Sequence, residues 1–380
     1  NYVQIMIWKL FQESGHTPIV LMGGATGRIG DPSGKDQERL LKTEEELDQN
    51  LEFQFQQLSQ FLNFSSGKNK ALLINNLDFY RDMNVLDFLR NAGKVLTVNY
   101  MLSKESVKNR MDAGISFTEF SYQLLQAYDF QMLYEKYNCQ LQMGGSDQWG
   151  NITSGTEFIR KNIPDANAYA LTTPLLTKAD GTKFGKSAEG NIWLDPKMTS
   201  PYAFYQFWLN TSDADLAKFL KYFSLKPREE IENLISEIDE NPQAVKKQLA
   251  AELTARIHSD AAFHTAQVVT QFLFNKKAKA ADAESLERKD LDIIAKEIPA
   301  FPISKNELEK GIPLLELLSE HTEICASKSE ARRALKGNAV AVNKNKFSDP
   351  EALINTSYLL HGKYILLDNG KKNKFILSAE

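Results

Sequence analysis

Ile19-Val20-Leu21-Met22-Gly23-Gly24-Ala25-Thr26-Gly27-Arg28-Ile29-Gly30-Asp31 runs an apolar stretch into a glycine-rich turn. A short apolar run ending in glycines reads as a buried strand feeding a turn where backbone approaches something closely. In open α/β sheets ligands bind at such places, outside the carboxyl ends of strands. The glycine spacing does not fit the G-x-G-x-x-G dinucleotide fingerprint, and no Walker-type G-x-x-x-x-G-K-[ST] occurs. A tight turn in a Rossmann-like sheet with no ligand is the plain alternative. Outward from this stretch, residues 1 to about 175 alternate apolar strands with helical stretches, which predicts a parallel sheet. A helix is expected over Tyr2 to Ser14 and another, long and charged, over Gln37 to Phe64.

A second strand-to-glycine junction is Leu141-Gln142-Met143-Gly144-Gly145-Ser146-Asp147-Gln148-Trp149-Gly150-Asn151. A carboxylate at the end of a parallel strand suits a ribose hydroxyl pair. Phe117 to Phe130 reads as a helix on which Tyr122, Gln126 and Asp129, spaced by four and three, share a face. That stripe is either a solvent face or a pocket wall able to hold an ammonium and a hydroxyl. Lys183-Phe184-Gly185-Lys186-Ser187 sets two lysines around a glycine after the turn Ala179-Asp180-Gly181. Mobile ammonium groups beside a flexible backbone and a serine donor suit a polyphosphate. A solvated lysine-rich loop is the bland reading of the same residues.

The 380 residues are 42% hydrophobic and 25% charged, an ordinary composition for two or three domains. No apolar run approaches the roughly 20 residues that span a bilayer, and no signal peptide is visible. Cys139 and Cys325 form no CxxC pair, and a reducing, cytoplasmic setting is the simplest reading. His16, His258, His264, His321 and His361 sit in no triad or metal pattern. The net charge of −4 hides an asymmetry. From Lys328 to Glu380 there are ten Lys plus Arg against five Asp plus Glu, a local +5, which leaves −9 for everything before. A basic end on an acidic body suggests a local polyanion site.

From Thr199 to about Asn275 the pattern is helical, with Ser200-Pro201 and Asn241-Pro242 marking starts. Lys276 to Asp290 fits a flexible linker or an exposed helix equally well. Ser327 to Gly337 reads as a serine-capped helix carrying Lys328, Arg332, Arg333 and Lys336, followed by a short strand.

GGATGRIGDPSGK, FTEFSYQLLQAYDF, GGSDQWGN and KFGKS together, in this order, closely resemble the bacterial tyrosyl-tRNA synthetases, a class I aminoacyl-tRNA synthetase family. The strings cover roughly residues 15 to 190, and the helical and C-terminal parts fit too. The resemblance implies an α/β chain in three parts. These are a Rossmann-like parallel-sheet catalytic domain (1–198, with the loop 183–187), a helical tRNA-binding domain (199–300), and a small α+β RNA-binding domain of alpha-L type (311–380). It implies a tyrosine-activating enzyme whose substrates are ATP with Mg2+, L-tyrosine and tRNA(Tyr). It also implies a homodimer with residues 75 to 125 near the interface, no membrane and a cytoplasmic place.

By position, Tyr122, Gln126 and Asp31 would hold the substrate ammonium, Asp129 would accept from the phenolic hydroxyl, and Gln148 would line the tyrosine pocket. Asp147 with the backbone near Gly145 would hold the ribose. Leu175 and Leu176 would offer backbone to adenine. Lys183, Lys186 and Ser187 would meet the polyphosphate, with Lys35 and Arg39 helping on the pyrophosphate side. Lys328, Arg332, Arg333 and Lys336 would contact tRNA, and no metal is expected to be held by the protein itself. The family's other signature, a His-Ile-Gly-His-like tetrapeptide, belongs just upstream of the first helix. Its absence from these residues is read as a missing N-terminal segment, and the 380 residues alone are expected to catalyse poorly. The rivals are a non-catalytic RNA-binding protein on the same scaffold and, among enzymes, tryptophan specificity. Intact Lys183 and Lys186 speak against the first, and Asp129 with the basic terminal segment against the second.

Overall fold

Two strand–helix–strand passes build the first part of the molecule. A computed structural model describes residues 2–33, 43–111, 114–182, 184–187, 190–275, 278–370 and 373–380. The chain divides into two compact units, Asn1–Lys186 with Lys218–Leu225 and Ser187–Ala217 with Lys226–Glu380.

In the first unit, α1 (Tyr2–Glu13) precedes β1 (Ile19–Met22). The chain then passes through α2 (Glu44–Leu58) to β2 (Leu72–Asn75), which lies parallel to β1 with Ile19 opposite Leu72. Parallel neighbours require such a crossover. Thr43 is extended (φ −67, ψ 163) and closes a capping box with Glu46. Its hydroxyl accepts from Glu46 N at 3.2 Å, and Glu46 Oε2 accepts from Thr43 N at 3.1 Å. An extended cap ends any helix arriving from upstream. The helix expected over Gln37 to Phe64 is therefore corrected to Glu44–Leu58; residues 34–42 lie outside the described residues.

A short helix α3 (Val85–Asn91) leads toward α4 (Phe117–Tyr137), 21 residues from its Ser116 cap to Asn138, whose left-handed φ of 53 ends it. β3 (Leu141–Gly145), α5 (Trp149–Asn162) and β4 (Tyr169–Thr173) form the second pass, with β3 and β4 parallel. Leu124, Ala127, Phe130 and Leu133 form the buried stripe of α4, and α5 buries Phe158 and Ile159. The α/β class with parallel pairing expected from the glycine-ended strands is what the fold shows. Among the described residues β1 pairs only with β2, and β3 only with β4.

The second unit starts helical. Ser200 caps α6 (Pro201–Leu209) and Asn241 caps α7 (Pro242–His258), each with proline in the first turn. With α8 (Asp260–Phe274) they bury Trp208, Leu249, Leu253 and Val269. The polar stretch after Asn275 contains two helices, α9 (Ala280–Glu284) and α10 (Arg288–Glu297).

A five-stranded sheet follows, from β5 (Ala300–Ile303), β6 (Val340–Val342), β7 (Asn345–Phe347), β8 (Tyr364–Asn369) and β9 (Asn373–Ala379). Its order is β7-β6-β8-β9-β5, antiparallel except for β9 beside β5. Asn343 (φ 45) and Lys344 (φ 68) form the tight turn between β6 and β7, both in the left-handed region that two-residue hairpins demand. α11 (Lys328–Lys336) packs Ala331 and Leu335 into the core under this sheet.

Candidate active site

The glycine turn after β1 is tight for a packing reason. A Cβ on Gly24 would collide with the Asn75 side chain at the end of β2. The next residue's amide, Ala25 N, donates to Asn76 Oδ1 at 2.7 Å. The two strand ends are thereby locked together, and a cavity of about 810 Å³ opens beside them. Its walls come from β1 (Ile19, Leu21), β3 (Leu141, Met143) and the α4 stripe of Tyr122, Gln126 and Asp129. The stripe is thus a pocket wall.

Asp129 is 1% exposed. Its Oδ1 accepts from Tyr80 Oη at 2.7 Å and its Oδ2 from Asn76 Nδ2 at 2.8 Å. Asn76 also donates to Thr26 Oγ1 at 2.9 Å. Burial pushes the Asp129 carboxyl up to about 7, and the two hydrogen bonds pull the other way. Burial likewise raises the Tyr80 phenol, helped by the Asp129 charge. The cavity therefore offers a carboxylate acceptor among largely apolar walls.

A second polar cluster joins Asp31 to the start of α5. Asp31 Oδ2 accepts from Gln148 Nε2 at 2.7 Å, and Oδ1 accepts from Ser33 N at 2.9 Å and Asn151 Nδ2 at 3.3 Å. Asn151, 1% exposed, also donates to Ser33 Oγ at 3.1 Å. Gln148 lines the cavity and touches the exposed Asp147, donating to its Oδ2 at 3.3 Å. A Cβ on Gly145 would meet only the Asp147 carboxylate, the movable end of an exposed side chain.

The lysine loop begins from an ordered turn. Thr182 donates to Asp180 Oδ1 through its amide at 2.9 Å and its hydroxyl at 2.6 Å, which holds the Asp180 carboxyl below its usual range. Phe184 N donates to Leu176 O at 3.0 Å, so one acceptor position of that carbonyl is taken. The Phe184 ring packs 4.9 Å from Phe219 and 5.2 Å from Phe223, anchoring the loop, while Leu175 is exposed. Gly185 turns with φ 84, which favours glycine. Lys35, Arg39 and Lys183 lie outside the described residues, and Lys186 and Ser187 enter only as backbone.

On α11, Ser327 Oγ caps by accepting from Glu330 N at 3.2 Å, and Arg332, Arg333 and Lys336 are exposed opposite buried Ala331 and Leu335. Lys328 is paired with Glu320 at 2.9 Å. The local +5 is not all surface. Lys344 and Lys374 both reach the same carboxylate, Asp368, at 2.9 and 3.2 Å, and all three are largely buried.

The profile of class I tRNA synthetases for tryptophan and tyrosine matches residues 1–275, and that of the tyrosine–tRNA ligase C-terminal domain matches residues 290–377. The chain belongs to the tyrosyl-tRNA synthetase family. A tyrosine–tRNA ligase of Cytophaga hutchinsonii is 50% identical over 381 residues, covering 99% of this chain and 88% of that protein. One from Bacteroides fragilis is 47% identical, covering 99% and 89%. Among solved structures, a C-terminally truncated mitochondrial tyrosyl-tRNA synthetase of Aspergillus nidulans superposes with a TM-score of 0.61 at 29% identity, over 72% of this chain and 81% of that one.

In this tyrosyl-tRNA synthetase fold, Tyr122, Gln126, Asp129, Asp31 and Gln148 come together in or beside one cavity. Asn76, Tyr80, Thr26 and Asn151 belong to the same site and were not singled out from sequence. Asn76 had a usable signal, since it follows the apolar run Leu72-Leu73-Ile74 as the glycines follow β1. Tyr80 had none.

Proposed function

We infer that this chain activates L-tyrosine with ATP and passes it to tRNA(Tyr). The observation that carries the inference is family membership along both matched segments, joined to a buried carboxylate acceptor in the cavity. In the first step a tyrosine carboxylate oxygen bonds to the α-phosphorus of ATP, the bond to the bridging oxygen breaks, and pyrophosphate leaves with the electron pair. A hydroxyl of the tRNA's terminal ribose then attacks the tyrosyl carbonyl and AMP departs. No nucleophilic side chain is required; positioning and charge stabilisation suffice.

In this reading Asp129 accepts from the substrate phenol, while Tyr122, Gln126 and Asp31 hold its ammonium and Gln148 lines the pocket. Asp147 and Gly145 hold the ribose, Leu175 and Leu176 meet adenine, and Lys183, Lys186 and Ser187 bind the polyphosphate with Lys35 and Arg39. Among the described residues no three His, Cys, Asp or Glu converge on a possible metal site. In this reading Mg2+ enters as part of the ATP substrate, held through its phosphates.

The terminal segment, beginning early enough to include β5, binds tRNA through Arg332, Arg333 and Lys336, with α6 to α8 forming the helical tRNA-binding part. Val85, Leu86, Val98 and Phe117 are large apolar residues more than 60% exposed, which supports a homodimer through this region. The reading places the enzyme in the cytoplasm; no described helix is long and apolar enough to cross a membrane. Charging of tRNA(Tyr) with labelled tyrosine by the full-length enzyme tests the function; no charging of tRNA(Tyr), or charging with another amino acid, rejects it.

A further inference from the structure

The residue that faces Asp129 from behind the cavity is a phenol. Asp129 and Asn76 line the cavity, whereas Tyr80 does not. Tyr80 follows β2 and is held by aromatic packing, its ring 5.6 Å from Tyr128 and 6.2 Å from Phe88. Its hydroxyl lies 2.7 Å from Asp129 Oδ1 and 3.0 Å from Leu125 O. We propose that Tyr80 is a positioning residue for substrate choice: its hydroxyl holds the Asp129 carboxylate ionised and oriented so that it accepts from the phenol of tyrosine and discriminates against phenylalanine. This rests on the reading of Asp129 as the acceptor of the substrate hydroxyl.

Each carboxylate oxygen has about two acceptor positions. Tyr80 takes one on Oδ1 and Asn76 one on Oδ2, which leaves one on each for a ligand. A phenol has a single proton to give. Facing an ionised Asp129 it donates there, because a charge-assisted bond is stronger than one to the Leu125 carbonyl. Facing a protonated Asp129 it can turn to Leu125 O and accept from the acid instead. Tyr80 thus favours the ionised state, the one that accepts.

Among the described residues, the other groups recorded against the pair are uncharged at neutral pH. They are Asn76 and Thr26 from the two strand ends and Tyr122 and Tyr128 on α4, with Phe158 of α5 packed against the far side of Tyr128. With burial pushing Asp129 toward neutrality, losing one donor tips the balance.

The test is Y80F in the full-length enzyme, with kcat/KM for tyrosine- and phenylalanine-dependent pyrophosphate exchange measured across neutral pH. The tyrosine preference should fall by about ten-fold or more at neutral pH, and its acidic fall-off should move up by about one pH unit or more, the scale of a lost bond to a charged group. D129N is assayed in parallel. If D129N keeps the wild-type preference, the reading of Asp129 fails. If D129N loses it while Y80F matches wild type in size and pH dependence, the Tyr80 proposal alone fails. Y80L lacks both ring and hydroxyl, and its pH shift should match that of Y80F. A wild-type Y80F beside an impaired Y80L would assign the effect to packing and overturn the proposal.

Discussion

Asp129 has almost no water to solvate it, so its neighbours set what it can do. Replacing it by alanine leaves Asn76 with Thr26 as its remaining acceptor and Tyr80 with Leu125 O, and in the proposed reading removes the acceptor for the substrate hydroxyl. A buried amide proton left without a partner costs about 1–3 kcal/mol, and the remaining acceptors limit that loss. D129A should lower the preference for tyrosine over phenylalanine by at least about ten-fold in exchange kinetics; an unchanged ratio would remove Asp129 from recognition. His258 gives a separate, structural prediction. It packs 4.9 Å from the Phe204 ring, neither ring nitrogen has a hydrogen-bond partner, and burial pulls its pKa from 6.5 to about 4. The folded state keeps it neutral while the unfolded chain takes up a proton below 6.5. Its stabilisation is therefore full above that value and is lost as pH falls from 6.5 toward 4. Between about pH 7 and pH 5 the wild type should lose roughly 2 °C or more of Tm beyond what H258L loses, and parallel losses would contradict this. At this scale Tyr122, Gln126 and Asp129 were legible because helical spacing puts them on one face. Asn76 and Tyr80 reach Asp129 across 53 and 49 residues of sequence, where no local pattern extends.

The loop 183–187 and helix α11 carry the element-scale predictions. Lys186 follows Gly185, whose positive φ redirects the chain just after the Phe184 anchor. Removing its ammonium should slow adenylate formation by roughly 10²–10³, as for a lost transition-state donor. Tyrosine affinity should hardly move, because the loss falls on the transition state. K186A that weakened tyrosine binding but left the activation rate intact would make the loop a binding element only. On α11, Arg332 and Arg333 stand exposed while Lys344 and Lys374 are consumed by Asp368. R332A and R333A should each flatten the salt dependence of tRNA binding by about one unit per lost phosphate contact; an unchanged slope would leave this face as ordinary surface. Strands ending in glycine and helices starting at Ser-Pro or Asn-Pro were legible because their punctuation is local. The helix over Gln37 to Phe64 was overextended because its charges hid the Thr43 cap. The stretch after Asn275 stayed ambiguous because α9, only five residues long, has too few turns to show a period.

Across the whole molecule, net charge proved a weaker guide than its distribution, and the distribution in turn overstated the accessible basic surface. The parallel α/β class was readable from two strand-to-glycine junctions. The inclusion of β5 in the terminal sheet was not, since its partner β9 lies more than seventy residues later and pairing leaves no local trace. The exposed apolar residues between Val85 and Phe117 likewise look like ordinary helix content until the fold shows them uncovered. What the two units accomplish together rests on one selective reaction. The most direct measurement is ATP–pyrophosphate exchange by the full-length enzyme with tyrosine, phenylalanine and tryptophan in parallel. The expected result is rapid exchange with tyrosine and at least about a hundred-fold lower kcat/KM with the other two, because a site built around a buried acceptor penalises a ligand lacking the hydroxyl. Comparable exchange with phenylalanine or tryptophan, or none with tyrosine, would contradict it.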